Sequence, residues 1–355
     1  IAWAGNTSVA TSNVGRSLRT ASALDILTDG APTSTLRVTG VSFAAGSFTV
    51  TFSGIPLSAY LIGFMVLGGS DITNVLVGHD TMDTDTGAWA VDNAGASVGF
   101  TADFGVFLYT KQTTDGTAVR ANGSIGFASS ATKEFTAAWG VDDDATMSAT
   151  VDAVSYTNAA ASIAYITDGA ETVDLLANFT GFTATGFDMN ISNAQATAST
   201  LMPFLLIKGG RWDVGTTTLP IFGAARTISG MAFQPQGLFL AHTVTTADAT
   251  VTVHAVSGVG AATSTTTEAF AELFHQDVIN TLVQREIQND KIAGDNFTTA
   301  SSQDFTNLTS DGFVFTSEAG AANAFQTGWF AMADNAVAPS CAAGQSIALL
   351  GVGCR

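Results

Sequence analysis

Three stretches of the chain repeat one pattern: FAAGSFTVTF (43–52), FTATGFDMNI (182–191) and FTNLTSDGFVF (305–315). Each is followed by an apolar stretch that closes on Gly or Asp, namely YLIGFMVLGG (60–69), MPFLLIKGG (202–210) and TGWFAMAD (327–334). Phenylalanines align in both sets, as Phe48, Phe187 and Phe313 in the first and as Phe64, Phe204 and Phe330 in the second. Self-similarity at a domain-sized spacing predicts one structural unit used three times.

A second repeated landmark indicates where each unit begins. The stretch VGFTADFGVFLYT (98–110) matches MAFQPQGLFLAHT (231–243), so Phe100 and Phe233 each open a unit. Trp3 in IAWAG takes the place of Trp139 in AAWG, which leaves the first unit without an opening strand. The predicted domains are 1–90 as an incomplete first unit, 91–222 as the second unit, 223–336 as the third unit and 337–355 as a C-terminal tail.

Composition and patterning predict the fold class. Hydrophobic residues make up 46% of the chain and charged residues only 12%, about half the usual charged share of a soluble domain. Short alternating runs such as FTVTF (48–52) and ATVTVHAV (249–256) are typical of β-strands with one buried face. We therefore predict an all-β chain of tandem, jelly-roll-like β-sandwich units with an incomplete first unit. One short helix is predicted at 268–276, where Phe270 and Phe274 are four residues apart.

The repeats also predict a core and an open edge. The aligned phenylalanines should be buried at equivalent places, and they are Phe48, Phe64, Phe100, Phe187, Phe204, Phe233, Phe313 and Phe330. Without an opening strand, residues 1–90 should keep an unpaired sheet edge, which invites another strand. We expect another copy of the chain, a neighbouring protein or an upstream fragment to fill it. Because the sequence begins with Ile1, we expect proteolytic maturation of a longer precursor, or an upstream part outside this sequence.

The charge of the chain argues against several classes of partner. Lys and Arg number 12 against 30 Asp and Glu, a formal net charge of −18. Nucleic-acid phosphates and anionic membrane surfaces both require a basic face, so neither partner is expected. No Gly-rich phosphate loop precedes a helix, and no cofactor is predicted.

Candidate catalytic and metal motifs are weak, and the chain is not expected to be an enzyme. GASVG (95–99) fits the nucleophile-elbow pattern, but a strand rather than a helix follows it. The four histidines, His79, His242, His254 and His275, lack zinc-site spacing, although His242 and His254 could meet across a hairpin. A weak calcium candidate is the acidic run that contains Asp80, Asp83 and Asp85, for which solvated turn acids are the preferred interpretation.

Two further features concern covalent chemistry. Cys341 and Cys354 in the tail could form a disulfide in an extracellular setting, or remain free thiols. Glycosylation sequons occur at Asn6, Asn122, Asn178, Asn190, Asn296 and Asn307, and they imply an attached glycan only if the source organism performs that chemistry.

Four segments carry a resemblance to a known class of protein: AFQPQGLFL (232–240), SDGFVF (310–315), TGFDMNI (185–191) and FLLIKGG (204–210). Their order resembles the β-sandwich unit of virion structural proteins of tailed bacteriophages. Pro235 occurs only in the third unit, and the acid of the DGF motif is absent from the first two. The resemblance implies a structural role on a virus particle, with other copies and neighbouring virion proteins as partners. It implies no catalytic residues.

The alternative is a secreted or cell-surface adhesin that binds a glycan through exposed aromatics such as Trp89, Trp212 and Trp329. An adhesin should place such aromatics in equivalent loops of each unit. These three tryptophans occupy different places in their units, which favours packing roles and the virion interpretation.

Overall fold

The chain is seen in a computed structural model, which describes residues 2–5, 14–22, 25–27, 34–45, 47–54, 64–68, 70–141, 153–167, 171–195, 199–277, 283–295, 301–318 and 324–335. Within these ranges every regular element is a β-strand, which confirms the all-β prediction. None of the residues in those ranges forms a helix long and apolar enough to cross a membrane.

Unit one consists of two small antiparallel sheets. Its strands are β1 (Ala2–Gly5), β2 (Val14–Leu18), β3 (Asp25–Leu27), β4 (Ser34–Ala44) and β5 (Ser47–Phe52). β1 pairs with β2 in one sheet, and β3, β4 and β5 follow one another as hairpins in the second sheet. Residues 64–68 follow without forming a strand.

Unit two is a complete sandwich. Its strands are β6 (Ile72–Thr81), β7 (Gly87–Val91), β8 (Phe104–Tyr109), β9 (Gly116–Val119), β10 (Gly123–Ser130), β11 (Lys133–Val141), β12 (Ala153–Asn158), β13 (Ile163–Thr167), β14 (Thr172–Phe182), β15 (Phe187–Asn193) and β16 (Leu201–Gly209). One sheet has the order β12-β11-β10-β8-β16-β6, and the sheet that faces it has the order β13-β14-β15-β7. The short strand β9 leaves this unit and pairs with β2 of unit one.

Unit three repeats the topology of unit two strand for strand. Its strands are β17 (Arg211–Thr218), β18 (Ala225–Ile228), β19 (Gly237–His242), β20 (Thr252–Val253), β21 (Ala255–Ser264), β22 (Thr267–His275), β23 (Val283–Gln288), β24 (Ala293–Asp295), β25 (Ser301–Thr309), β26 (Gly312–Ser317) and β27 (Gln326–Ala333). The orders β23-β22-β21-β19-β27-β17 and β24-β25-β26-β18 match those of unit two. In unit one, the same correspondence relates β1 to β11, β2 to β12, and β3, β4 and β5 to β13, β14 and β15.

The sheets begin earlier than the predicted domain boundaries at 91 and 223. β6 pairs with β16, and β7 pairs with β15, so residues 72–91 belong to unit two. In the same way, β17 pairs with β27, and β18 pairs with β26, within unit three. Each complete unit therefore starts with a two-strand segment that adds one edge strand to each of its sheets.

The predicted helix at 268–276 is wrong, because this segment is strand β22. Residues four apart share one face of a helix, but an even spacing also places them on one face of a strand. Phe270 and Phe274 accordingly lie on the buried face of β22, where buried and half-buried residues alternate. Val278 and Leu282, which continue the same spacing of four residues, lie outside the described residues.

The repeat is visible in one ring pair of each unit. Phe187 meets Phe204 nearly edge-on, with ring centroids 5.2 Å apart and an interplanar angle of 86°. In unit three Phe313 meets Trp329 at 5.3 Å and 84°. Trp329, and not Phe330, is thus the counterpart of Phe204. A shift of one residue reverses the face of a strand, and Phe330 points instead into the layer between units two and three.

Unit one contains the same ring pair. The Phe48 and Phe64 centroids are 4.9 Å apart, with an interplanar angle of 73°. Five of the predicted core phenylalanines are buried, namely Phe187, Phe204, Phe233, Phe313 and Phe330. Phe48 and Phe100 are half-buried. The prediction is wrong for Phe64, which is 70% exposed because no described strand of unit one covers it.

Candidate assembly interface

Units two and three stack through their larger sheets. Phe104, Phe127 and Phe135 of unit two pack against Phe330 of unit three in one buried cluster. The Phe127 and Phe330 rings are 5.4 Å apart and close to perpendicular, a favoured arrangement of aromatic pairs. The result is a four-layered body whose two central sheets bury an apolar interface between the units.

One glycine permits the close approach of these sheets. A Cβ atom at Gly328 would lie 1.9 Å from Cδ1 of the Phe135 ring, well inside van der Waals contact. Both residues belong to buried stretches of strand, β27 in unit three and β11 in unit two. The stacking distance therefore depends on the absence of a side chain at this position.

Each complete unit also donates one short strand to the unit before it. β9 pairs with β2 of unit one, and β20 pairs with β12 of unit two, both antiparallel. The two donated strands occupy the same loop of their units, between β8 and β10 and between β19 and β21. The alternating run at 249–256 predicted a strand that contains β20, but sequence reasoning missed β9 and the pairing of both strands with another unit. The signal for β9 was the segment TAVR (117–120), at the same offset as VTVH (251–254).

The junction between units one and two carries charges. The Arg16 guanidinium donates to the Val119 carbonyl at 2.7 Å. Arg19 forms an ion pair with the buried Asp25 at 2.8 Å and lies 3.5 Å from Asp115, which belongs to the loop of β9. Pairing of β2 and β9 is thus reinforced by side chains from both units.

The junction between units two and three depends on a chain of backbone and side-chain bonds. The Ala153 amide donates to Oδ1 of Asp277 at 3.0 Å, and the His254 amide donates to the Ala153 carbonyl at 2.7 Å. The Asp277 amide in turn donates to Nδ1 of His254 at 3.0 Å. Burial lowers the pKa of His254 despite the opposing influence of Asp277, which suits its role as an acceptor.

A buried glutamate links the two sheets inside each complete unit. Oε2 of Glu134 on β11 accepts the Phe179 amide of β14 at 2.7 Å. The equivalent Glu268 on β22 accepts the Phe305 amide of β25 at 2.9 Å. Phe179 and Phe305 each precede a β-bulge. Burial raises the pKa of both carboxyls to about 7.

Among the residues that the structure describes, no strand covers the side of unit one that would face a larger sheet. In units two and three, β11 and β22 lie between two neighbours, whereas β1 ends its sheet. Likewise β15 and β26 are flanked on both sides, whereas β5 is an edge. Phe43, directly opposite Phe48 in the β4–β5 pair, is 77% exposed. An apolar face and two strand edges therefore lie next to each other without a covering strand in the described part of the chain.

The predicted calcium residues are not brought together as ligands. The Asp80 carboxylate accepts the amides of Thr81 and Asp92 at 2.7 and 2.9 Å. That of Asp83 accepts the amides of Thr84 and Asp85 at 2.7 and 3.2 Å. Across the described ranges, no group of three His, Cys, Asp or Glu residues has a geometry that could hold a metal ion.

The three tryptophans of the adhesin hypothesis pack inside the protein. Trp89 and Trp329 are buried, and Trp212 stacks on Phe104 with ring centroids 4.3 Å apart. Among the sequons, Asn122 is buried, whereas Asn190 and Asn307 are exposed. Asn6, Asn296 and the predicted disulfide partners Cys341 and Cys354 lie outside the described residues.

Comparisons of the chain with protein-family models, curated proteins and solved structures found no match.

Proposed function

We propose that this protein is a structural component of a virus particle, in which it acts by association with other copies of itself and with neighbouring virion proteins. The observation that carries the proposal is the open side of unit one, where Phe43 and Phe64 expose most of their surface. Exposure of an apolar face to water is unfavourable. Burying that face against another protein surface contributes about 25 cal/mol of stabilisation per Å² of apolar area buried.

The donated strands support the same conclusion. β9 and β20 show that in this fold one unit supplies edge strands to another. The resemblance of the repeats to β-sandwich units of tailed-bacteriophage virion proteins gives the particle as the setting. The adhesin alternative is less well supported, since Trp89, Trp212 and Trp329 are engaged in packing.

Charge shapes how such a component would associate. With a net charge of −18, copies repel one another at low ionic strength. Salt shortens the screening length to about 8 Å at 0.15 M and strengthens the apolar association relative to this repulsion. Assembly of the purified chain should therefore increase with salt concentration.

The test combines location with association. Mass spectrometry of gradient-purified virus particles from the source culture should find the chain in stoichiometric amounts, and antibody labelling should mark regular positions on them. Recovery of the chain only in the soluble or cell-surface fraction would contradict the proposal. In sedimentation experiments Phe64→Asp should weaken association, whereas Phe222→Asp, at a similarly exposed phenylalanine of unit three, should not.

A further inference from the structure

A cleft lies between units two and three, beside their stacked sheets. It has a volume of about 730 Å³, within the range of roughly 300–1,000 Å³ that is typical of small-molecule sites, and such sites occur preferentially between domains. The side chains that matter for its chemistry are Ser129, Ser130 and Lys133 of unit two and Arg211, Asp213 and Phe233 of unit three. Because both units supply its walls, the cleft depends on their stacking.

Arg211 is held in a fixed position in this cleft. Its Nε atom donates to the Asp334 carbonyl oxygen at 2.9 Å. Its guanidinium carbon lies 5.2 Å from the ring centroid of Phe233, a distance at which a cation and an aromatic ring attract each other. Phe233 is buried, and the neighbouring Trp212 stacks on Phe104 of unit two. The guanidinium is thus already oriented, and a ligand that binds it loses little affinity to the ordering of this side chain.

The contacts of Arg211 leave its two terminal nitrogens, Nη1 and Nη2, unused. Among the described residues, no carboxylate lies within ion-pair distance of them, and no acceptor lies within hydrogen-bond distance. These nitrogens carry four N–H donors, and their planar arrangement matches two oxygens of a carboxylate or phosphate group. Residues 336–355, which follow the cleft along the chain, contain no Asp or Glu, so they offer no acidic side chain to Arg211.

The acids of the cleft are already engaged by donors. Oδ1 of Asp213 lies 2.9 Å from Nζ of Lys133 and accepts the Val214 amide at 3.0 Å. Oδ2 of Asp103 accepts the Gly209 amide at 2.7 Å. With two cations and two carboxylates, the cleft walls are neutral although the whole chain has a net charge of −18. An anion in the cleft therefore meets a guanidinium that has no carboxylate partner, without net repulsion from the walls.

We propose that this cleft binds a small molecule that carries a carboxylate or phosphate group, with two oxygens of that group bound by Nη1 and Nη2 of Arg211. The hydroxyls of Ser129 and Ser130 line the same cleft and suit a hydroxyl-bearing remainder of the ligand. The inference goes beyond the proposed function, because the cleft is a different surface from the open side of unit one.

Three sugars that differ only at C6 test the site. Glucuronate carries a carboxylate there, glucose 6-phosphate a phosphate, and glucose an uncharged hydroxyl. In NMR titrations of the full chain, at least one of the two anions should shift the signals of the Arg211 Nε–H and the Trp212 indole N–H until they saturate, whereas glucose should not. A response to one anion alone identifies the group that the cleft selects, and a response to both shows that the shared oxyanion chemistry is recognised.

Protein variants assign the binding to Arg211. Arg211→Gln should weaken it at least tenfold, and Arg211→Lys should also weaken it, because lysine keeps the charge but not the planar pair of nitrogens. Arg226→Gln is the control, since Arg226 of unit three donates to Oγ1 of Thr217 at 2.9 Å and lies outside the cleft lining. Unfolding midpoints confirm that each variant is folded.

Three outcomes would overturn the proposal: equal binding of glucose, unchanged affinity in a folded Arg211→Gln variant, and no response to either anion. None of these measurements depends on where the chain is located. A failure here is therefore distinct from a failure of the proposed function, which is decided by the presence of the chain on particles.

Discussion

Units one and two contain the same edge-on ring pair, but they bury it very differently. Phe187 and Phe204 are at most 2% exposed, whereas Phe64 is 70% exposed although its ring still contacts Phe48. The position of the pair is set by a hairpin and a closing segment that all three units contain. Its burial is supplied by the strands equivalent to β8 and β10, which the described part of unit one lacks. In this fold, the edge-on ring pair can therefore form without the complete core that buries it in unit two.

The largest expected effect comes from truncating this ring pair. Phe187→Ala or Phe313→Ala should lower the free energy of unfolding by about 3–5 kcal/mol, because a fully buried ring leaves a cavity. Phe64→Ala should cost less than about 1 kcal/mol in the isolated chain, as expected for an exposed side chain. Guanidinium unfolding of the three variants measures the difference. Equal costs at Phe64 and Phe187 would show that unit one is covered in solution.

The interface between units two and three should be the next most sensitive place. A Cβ atom at Gly328 would overlap the Phe135 ring, so Gly328→Ala forces the stacked sheets apart and should cost about 1–3 kcal/mol. Gly181 on β14 is the matched control, since a Cβ there meets nothing within 4 Å and Gly181→Ala should be close to neutral. Thermal unfolding compares them, and a neutral Gly328→Ala would argue against tight stacking.

Complete units should also show a pH dependence that originates in their buried glutamates. Glu134 and Glu268 have pKa values raised by burial from 4.5 to about 7, so the folded state binds protons more tightly than the unfolded state. Their contribution to stability is present below about pH 4.5 and is lost as the pH rises through about 7. His275, whose pKa burial lowers from 6.5 to about 4, acts oppositely, and stability is lost as the pH falls from 6.5 towards 4.

The variant that separates these effects is the double substitution Glu134→Gln and Glu268→Gln. Glutamine resembles the protonated acid and keeps an acceptor for the amides of Phe179 and Phe305. The melting temperature of the double variant should fall less between pH 5 and pH 8 than that of the parent chain. Glu171→Gln, at an exposed glutamate, should preserve the parent's dependence. If the melting temperature of the double variant falls as steeply with pH as that of the parent chain, groups other than these two glutamates cause the loss of stability at higher pH.

Much of the fold was predictable, because repeated alternation of apolar residues identifies strands and their copies. The predicted equivalence of Phe204 and Phe330 is wrong by one position. The two adjacent aromatic residues in TGWFAMAD allow two alignments with the closing strand of unit two, and only the structure shows which of them lies on the buried face. The helix prediction at 268–276 failed for a related reason, because Phe270 and Phe274 satisfy both periods. The contribution of β6 and β17 to the following unit depends on pairing between distant segments, which a local pattern does not indicate.

The candidate interface was predictable only in outline. An open edge in unit one followed from the missing opening strand, but the exposure of Phe64 was not anticipated. The acids Glu134 and Glu268 could have been found, since each is the second residue of its strand and they are 134 positions apart, the same offset that separates TAVR (117–120) from VTVH (251–254). The donated strand β9 is too short for composition to reveal, and the pairing of β9 and β20 was not predictable because their partners lie in another unit.

The smallest expected effects distinguish the two junctions between units. Arg120 and His254 follow the donated strands at equivalent places, and both have positive φ, at 68° and 77°. Glycine adopts such a conformation without strain but makes the unfolded chain more flexible, so the two contributions nearly cancel. At Arg120 the Arg16 guanidinium bonds to a backbone carbonyl that glycine retains, and Arg120→Gly should change the free energy of unfolding by less than about 1 kcal/mol.

His254→Gly should instead destabilise the chain, because it removes the Nδ1 acceptor of the Asp277 amide and with it one bond of the junction between units two and three. Loss of a partner for a buried amide costs about 1–3 kcal/mol, and the relief of backbone strain does not offset it because the flexibility that glycine adds to the unfolded chain nearly cancels that relief. Chemical denaturation of both variants measures the contrast. If Arg120→Gly destabilises the chain as much as His254→Gly does, the conformation of the donated loop, and not the bond to Asp277, holds the units together.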